Sequence, residues 1–122
     1  MTIVVMRSFT LEPGSFEDFE RISKEGIWPY YEARGCKVMG LYENVHGGAT
    51  NEAVVFTAYD SLAHWESTQL DVAPPPECSD EVRRLAGVAT ESAQLRGELT
   101  TAANSRILRL ATDWVHLRVH SG

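Results

Sequence analysis

The sequence is poor in cysteine, having only Cys36 and Cys78, far apart in the chain. It has no Cys-x-x-Cys pair and no Cys/His spacing of a zinc site, which excludes a disulfide scaffold and a zinc module. No apolar run approaches the roughly 20 residues that span a bilayer. The opening residues Met1 to Arg7 lack a basic leader and a cleavage site, so they read as a strand rather than a secretory signal. These absences together predict a cytoplasmic protein with two free thiols. Positive charge is also scarce. A net charge of −6 and a pI near 5.1 offer no basic face to nucleic acid or to an anionic membrane. Nucleophile-elbow, phosphate-loop and dinucleotide patterns are all missing, as are internal repeats and low-complexity stretches.

What is present is ordinary globular composition, 43% apolar and 23% charged over 122 residues, which predicts one domain, 1–122, with one core. Ile3 to Thr10 is β-branched and aromatic and predicts a first strand. Pro13-Gly14 marks a turn. Ser15 and Asp18 have the spacing of a capping box. A helix is expected over 16–34, with exposed Glu17–Arg21 and Glu20–Lys24 pairs, a kink from Pro29 near Ile27-Trp28 and Gly35 as its stop. A second strand is expected over 36–43 and a third from Asn51 or Glu52 to Tyr59, joined by the Gly47-Gly48 loop. Asp60-Ser61 caps a helix running to about Leu70, and Pro74-Pro75-Pro76 forms an extended joint. Ser79-Asp80-Glu81 opens a further helix. Its apolar stripe runs through Val82, Leu85, Val88 or Ala89, and Ala93 to Leu95 or Arg96. A fourth strand is expected over 106–113, and 114–120 as a fifth strand or strand-like tail.

The order β, α, β, β, α, β calls for an α+β fold: a four-stranded ferredoxin-like sheet with helices on one face, made by right-handed crossovers. In the first strand, Ile3, Val5 and Phe9 point one way and Val4 and Met6 the other, so both sheet faces need cover. A two-fold copy of the same chain supplies it most simply.

The run Arg7 to Gly14, with Phe19, Pro29, Gly35 and Gly40, resembles the NIPSNAP family of the dimeric α+β barrel superfamily. The runs Asn51 to Ser61 and Ser105 to Leu110 continue that pattern. The resemblance implies a βαββαβ half-barrel that forms a homodimer, with a useful cavity between helices and sheet. It departs from the family at Phe56, where a histidine commonly stands in the third strand. Relatives include cofactor-free oxygenases, polyketide cyclases, haem proteins and lyases, so fold alone leaves the activity open.

Several residues could carry chemistry in such a cavity. Arg7, mid-strand among hydrophobes, suits an anion or carbonyl anchor or an internal ion pair. Tyr30, Tyr31, Tyr42 and Tyr59 are phenols that could donate to a carbonyl or enolate, or simply pack. His46 in the glycine loop and His64 on the second helix are candidate general bases, and either could serve a haem as axial ligand. Trp28 and Trp65 are candidate stacking platforms for a flat ligand; Trp114 reads as a further stacking or core residue. His116 and His120, four apart, would lie about 13 Å apart along a strand, too far for one metal ion. Nothing beside Cys36 or Cys78 marks an activated nucleophile.

The expectation is a small-molecule-binding homodimeric barrel. It would be a cofactor-independent oxygenase, cyclase or isomerase-type enzyme acting on a hydrophobic aromatic or polyketide-like substrate. His46, His64 and Tyr42 would serve as catalytic groups, and Arg7, Tyr30, Tyr59, Trp65 and Trp28 would bind substrate, with no cofactor and no metal. The alternatives are a haem-binding protein and a non-catalytic dimer that binds a ligand or partner.

Overall fold

A computed structural model describes residues 1–114. The chain forms β1 (Ile3–Leu11), α1 (Phe16–Ile22), a π-helical segment (Ser23–Ile27), α2 (Trp28–Ala33), β2 (Lys37–Glu43), β3 (Glu52–Tyr59), α3 (Leu62–Ser67), α4 (Asp80–Glu98) and β4 (Thr100–Arg109). The strands make one four-stranded sheet in the order β2-β3-β1-β4, antiparallel throughout. This is the βαββαβ arrangement expected from the element order.

Register assigns each strand residue to a face. Val5 pairs with Thr57 and Ile107, and Arg7 with Val55 and Ser105. Side chains alternate along a strand, so Ile3, Val5, Arg7, Phe9 and Leu11 face the helices together with Ala53, Val55, Thr57 and Tyr59. Two apolar clusters form the core on that side. Ile3, Val5, Ile27, Tyr30, Tyr31, Cys36, Tyr59 and Ala89 make one; Phe9, Leu11, Phe19, Ala53 and Val55 make the other. The opposite face carries Val4, Met6, Val54 and Phe56, all half-buried, with Tyr42 and Leu108 exposed beside them.

The long first helix is interrupted where Pro29 requires it. Proline offers no N–H to the turn before it and its ring crowds the preceding carbonyl. The backbone answers with the wider π turn at Ser23–Ile27, directly ahead of α2, which carries the proline in its first turn. Gly26 lies in that segment with Ser92 of α4 against it; a Cβ there would sit 1.9 Å from Ser92 Oγ. Gly35, at φ 77°, ends the helix as expected.

Several local expectations are corrected. Ser15 makes no side-chain cap bond. Its ψ of 0° is helical instead of the extended value an N-cap takes. Arg21 pairs with Asp18 at 3.3 Å in place of Glu17. The helix after Ser61 stops at Ser67, short of Leu70, although Ser61 does cap it by accepting from His64 N. β4 covers Thr100–Arg109, beginning six residues before the expected 106–113. Pairing with the whole of β1 overrides the weak strand preference of Ala102, Ala103 and Asn104. Trp114 is an exposed bend. The proposed strand-like tail beyond it, with His116 and His120, lies outside the described residues.

Candidate functional site

Between the helices and the sheet lies a cavity of about 80 Å³, lined by residues that include Val5, Arg7, Phe9, Trp28, Tyr31, Thr57, Tyr59, Trp65, Gln69 and Arg96. It continues into a wider, open cleft of about 440 Å³ between α4 and β4. Arg7, Phe9, Tyr31, Gln69 and Arg96 line both. Strand alternation aims Arg7 inward from β1. Arg96 reaches the same place from the last turn of α4, on the face that also buries Ala89.

Arg96 is only 7% exposed. Its Nη1 donates to Ser23 Oγ at 3.1 Å, and its guanidinium lies 4.8 Å from the Phe9 ring centre and 5.1 Å from that of Phe19. The Arg7 guanidinium lies 5.0 Å from the same Phe9 ring. Two cations thus share one aromatic ring at the neck of the cavity. Among the described residues no carboxylate lies within ion-pairing distance of either. Burial, and after it the neighbouring Arg7 charge, pull Arg96 down to about 10. Buried arginines are normally paired; Arg96 is buried and Arg7 half-buried, and Asp71 is the acidic residue that lines the adjoining cleft with them.

Phenols complete the wall. Burial pushes both Tyr31 and Tyr59 above the ordinary phenol range, with the arginines partly opposing it at Tyr31. At neutral pH both are therefore protonated donors, suited to receive an oxyanion and unsuited to act as bases. Gln69 adds an amide, fixed by its Nε2 donating to the Trp65 carbonyl at 2.8 Å.

Of the residues singled out in the sequence, the fold brings Arg7, Trp28, Tyr59 and Trp65 together at the cavity. Tyr30 is fully buried with its hydroxyl accepting from Arg34 and faces the α4 side instead. Tyr42 stands 56% exposed on the opposite sheet face, edge-on to Phe56. His46 lies exposed in the loop between β2 and β3 and lines neither the cavity nor the cleft.

His64 is committed elsewhere. Its Nε2 lies 2.7 Å from the Arg34 carbonyl, an acceptor, so that nitrogen carries the proton. Its Nδ1 lies 3.1 Å from both Asp60 N, which donates to it, and Asp60 Oδ1. With both nitrogens engaged behind the Tyr59 ring, it pins α3 to the end of the first helix and is placed neither as base nor as haem ligand. Cys36 is buried nearby with its thiol pushed up to about 11, which keeps it unreactive at neutral pH. Arg96 and Gln69 escaped the functional reading of the sequence. The one signal for Arg96 was an arginine falling on the apolar stripe of α4.

The NIPSNAP family pattern matches residues 4–111. The chain belongs to the NIPSNAP family. Solved structures agree in fold. A NIPSNAP family protein from Agrobacterium tumefaciens is 18% identical with a TM-score of 0.68, over 97% of this chain and all of its own. A NIPSNAP domain protein from Burkholderia xenovorans is 17% identical with a TM-score of 0.67, over 89% of this chain and 94% of its own. A candidate antibiotic biosynthesis monooxygenase from Bordetella bronchiseptica is 18% identical with a TM-score of 0.61, over 91% and 98%. No curated protein matches the chain. Among the described residues, no helix of this NIPSNAP protein is long and apolar enough to cross a membrane.

Proposed function

We propose that this NIPSNAP protein is a homodimer that binds a hydrophobic, aromatic or polyketide-like oxyanion where the cavity between its helices and sheet opens into the adjoining cleft. The observation that carries the reading is the pair Arg7 and Arg96, two guanidiniums over one phenyl ring that form no ion pair among the described residues. An arginine presents a planar fork of donors that fits a carboxylate, enolate or phenolate. The Tyr31 and Tyr59 hydroxyls add neutral donors, and Trp28 and Trp65 close the apolar inner end. Stabilising a forming oxyanion with fixed donors in a water-poor site is a strong catalytic device. The chemistry that fits is oxygenase, cyclase or isomerase-type reaction of a substrate that ionises to an enolate or phenolate. The fold likeness to a candidate antibiotic biosynthesis monooxygenase supports that class. Haem ligation through His46 or His64 has no support from their placement.

Calorimetric titration tests the anion site. Benzoate should bind at least about tenfold more tightly than the isosteric neutral benzamide, since charge-assisted bonds are roughly twice as strong as neutral ones. Equal affinity for the two would remove the role given to the arginines. The dimer is tested separately by sedimentation. The open sheet face, with Val4, Met6, Val54 and Phe56 at its centre, is the surface a second copy would cover. The chain should sediment as a dimer and Phe56→Glu as a folded monomer. A wild-type monomer at micromolar concentration would defeat this part of the proposal.

A further inference from the structure

The shape of the cavity says more about the ligand than its charge does. The inner compartment holds about 80 Å³, roughly half of the about 150 Å³ that accommodates benzene in a protein interior. It admits a few atoms and no ring. The outer cleft holds about 440 Å³, within the range of about 300–1,000 Å³ typical of small-molecule sites. The two meet at Arg7 and Arg96, which line both. A ligand held by the arginines must therefore place its ring system outward.

The outer walls are cut to let it pass. Ala93 and Gly97 of α4 and Ala103 of β4 line the cleft on the side of those two elements, and none extends beyond a Cβ; Leu70 and Asp71 line it from the segment after α3. Gly97 has nothing within 4 Å of where a Cβ would stand. Ala103 is exposed and pairs with Phe9, so it continues outward from the ring that carries both guanidiniums. An apolar body lying there would cover the exposed Gly97 and Ala103 and gain in proportion to the area removed from water.

We infer that the ligand is an elongated molecule, its charged end at Arg7 and Arg96, a small substituent in the inner compartment, and an extended ring system or chain between α4 and β4. This rests on the reading of the arginine pair as an anion site, and the test separates the two.

The full-length chain is titrated with benzoate and with biphenyl-4-carboxylate, which differ by one ring at the end away from the charge. The longer probe should bind about tenfold more tightly, as expected for burying a further ring. Ala103→Leu and Gly97→Leu, both at exposed positions, should each weaken biphenyl-4-carboxylate by about tenfold more than they weaken benzoate. Equal affinity for the two probes, or parallel loss of both in either variant, overturns the elongated ligand while leaving the anion site standing. Failure of both probes to bind the wild type overturns the anion site itself.

Discussion

Gly26→Ala is expected to lower the melting temperature by on the order of 10 °C, a cost of about 2–3 kcal/mol. A Cβ at residue 26 would lie 1.9 Å from Ser92 Oγ and 2.5 Å from Ser92 Cβ. The hydroxyl could rotate away, but the Cβ is fixed to the α4 backbone and has no alternative position. The π-helical segment and α4 would have to part, and the contacts of Ile27 and Ala89, both fully buried, would loosen with them. Ser92→Gly in the same chain removes both obstructing atoms; the next nearest, Ser92 Cα, is 3.9 Å away, ordinary contact. Alone, Ser92→Gly costs about 1 kcal/mol as a helix-interior glycine. The double variant should nevertheless melt above Gly26→Ala, and that inversion in a double-mutant cycle is the signature of the clash. A Gly26→Ala protein melting within about 2 °C of wild type would show that the two segments are not in the contact described.

The second large effect is expected at Arg96, where stability and binding should move apart. Arg96→Met keeps a long flexible side chain over Phe9 and Phe19, with sulfur–aromatic contacts in place of the cation. It removes a buried charge whose neighbour, Arg7, has the same sign. Replacing an incompletely compensated buried charge by an apolar side chain is often neutral or stabilising. The melting temperature should stay level or rise by about 2–5 °C, while benzoate affinity falls by about 10- to 100-fold. The hydrogen bond to Ser23 is lost as well, which sets a limit on the gain. Destabilisation by more than about 5 °C together with unchanged benzoate binding would mean that Arg96 is a structural cation and that the anion site lies elsewhere.

The sheet was legible because its signals are local. Ile3 to Thr10 and Ala53 to Ala58 are β-branched and aromatic runs bounded by turn residues, and the structure has strands there. Gly35 and Pro29 announced the stop and the interruption of the first helix. β4 was displaced because Thr100 to Asn104 carries little strand preference and becomes a strand only by pairing with β1. The site was less legible for a related reason. Arg7, Trp28, Tyr59 and Trp65 stand out by residue type in their own segments. Arg96 is distinguished only by what packs around it from β1 and α1, information that no window of the sequence contains. His46 and His64 drew attention as titratable groups, yet whether such a group is free depends on partners such as the Arg34 carbonyl, thirty residues away.

The π-helical segment also acts as a phase shifter. A π turn holds about one residue more than an α turn, so the side chains beyond it are set back around the helix axis by about one position. In an unbroken α-helix, the angular slot facing the sheet above Phe19 would come round to Tyr30, eleven residues on. After the slip it is Tyr31 that faces Arg7 and Arg96 across the cavity, while Tyr30 turns toward α4 and the loop before it. The choice of which of two adjacent tyrosines meets the ligand is made at Ser23–Ile27, by the winding of the backbone.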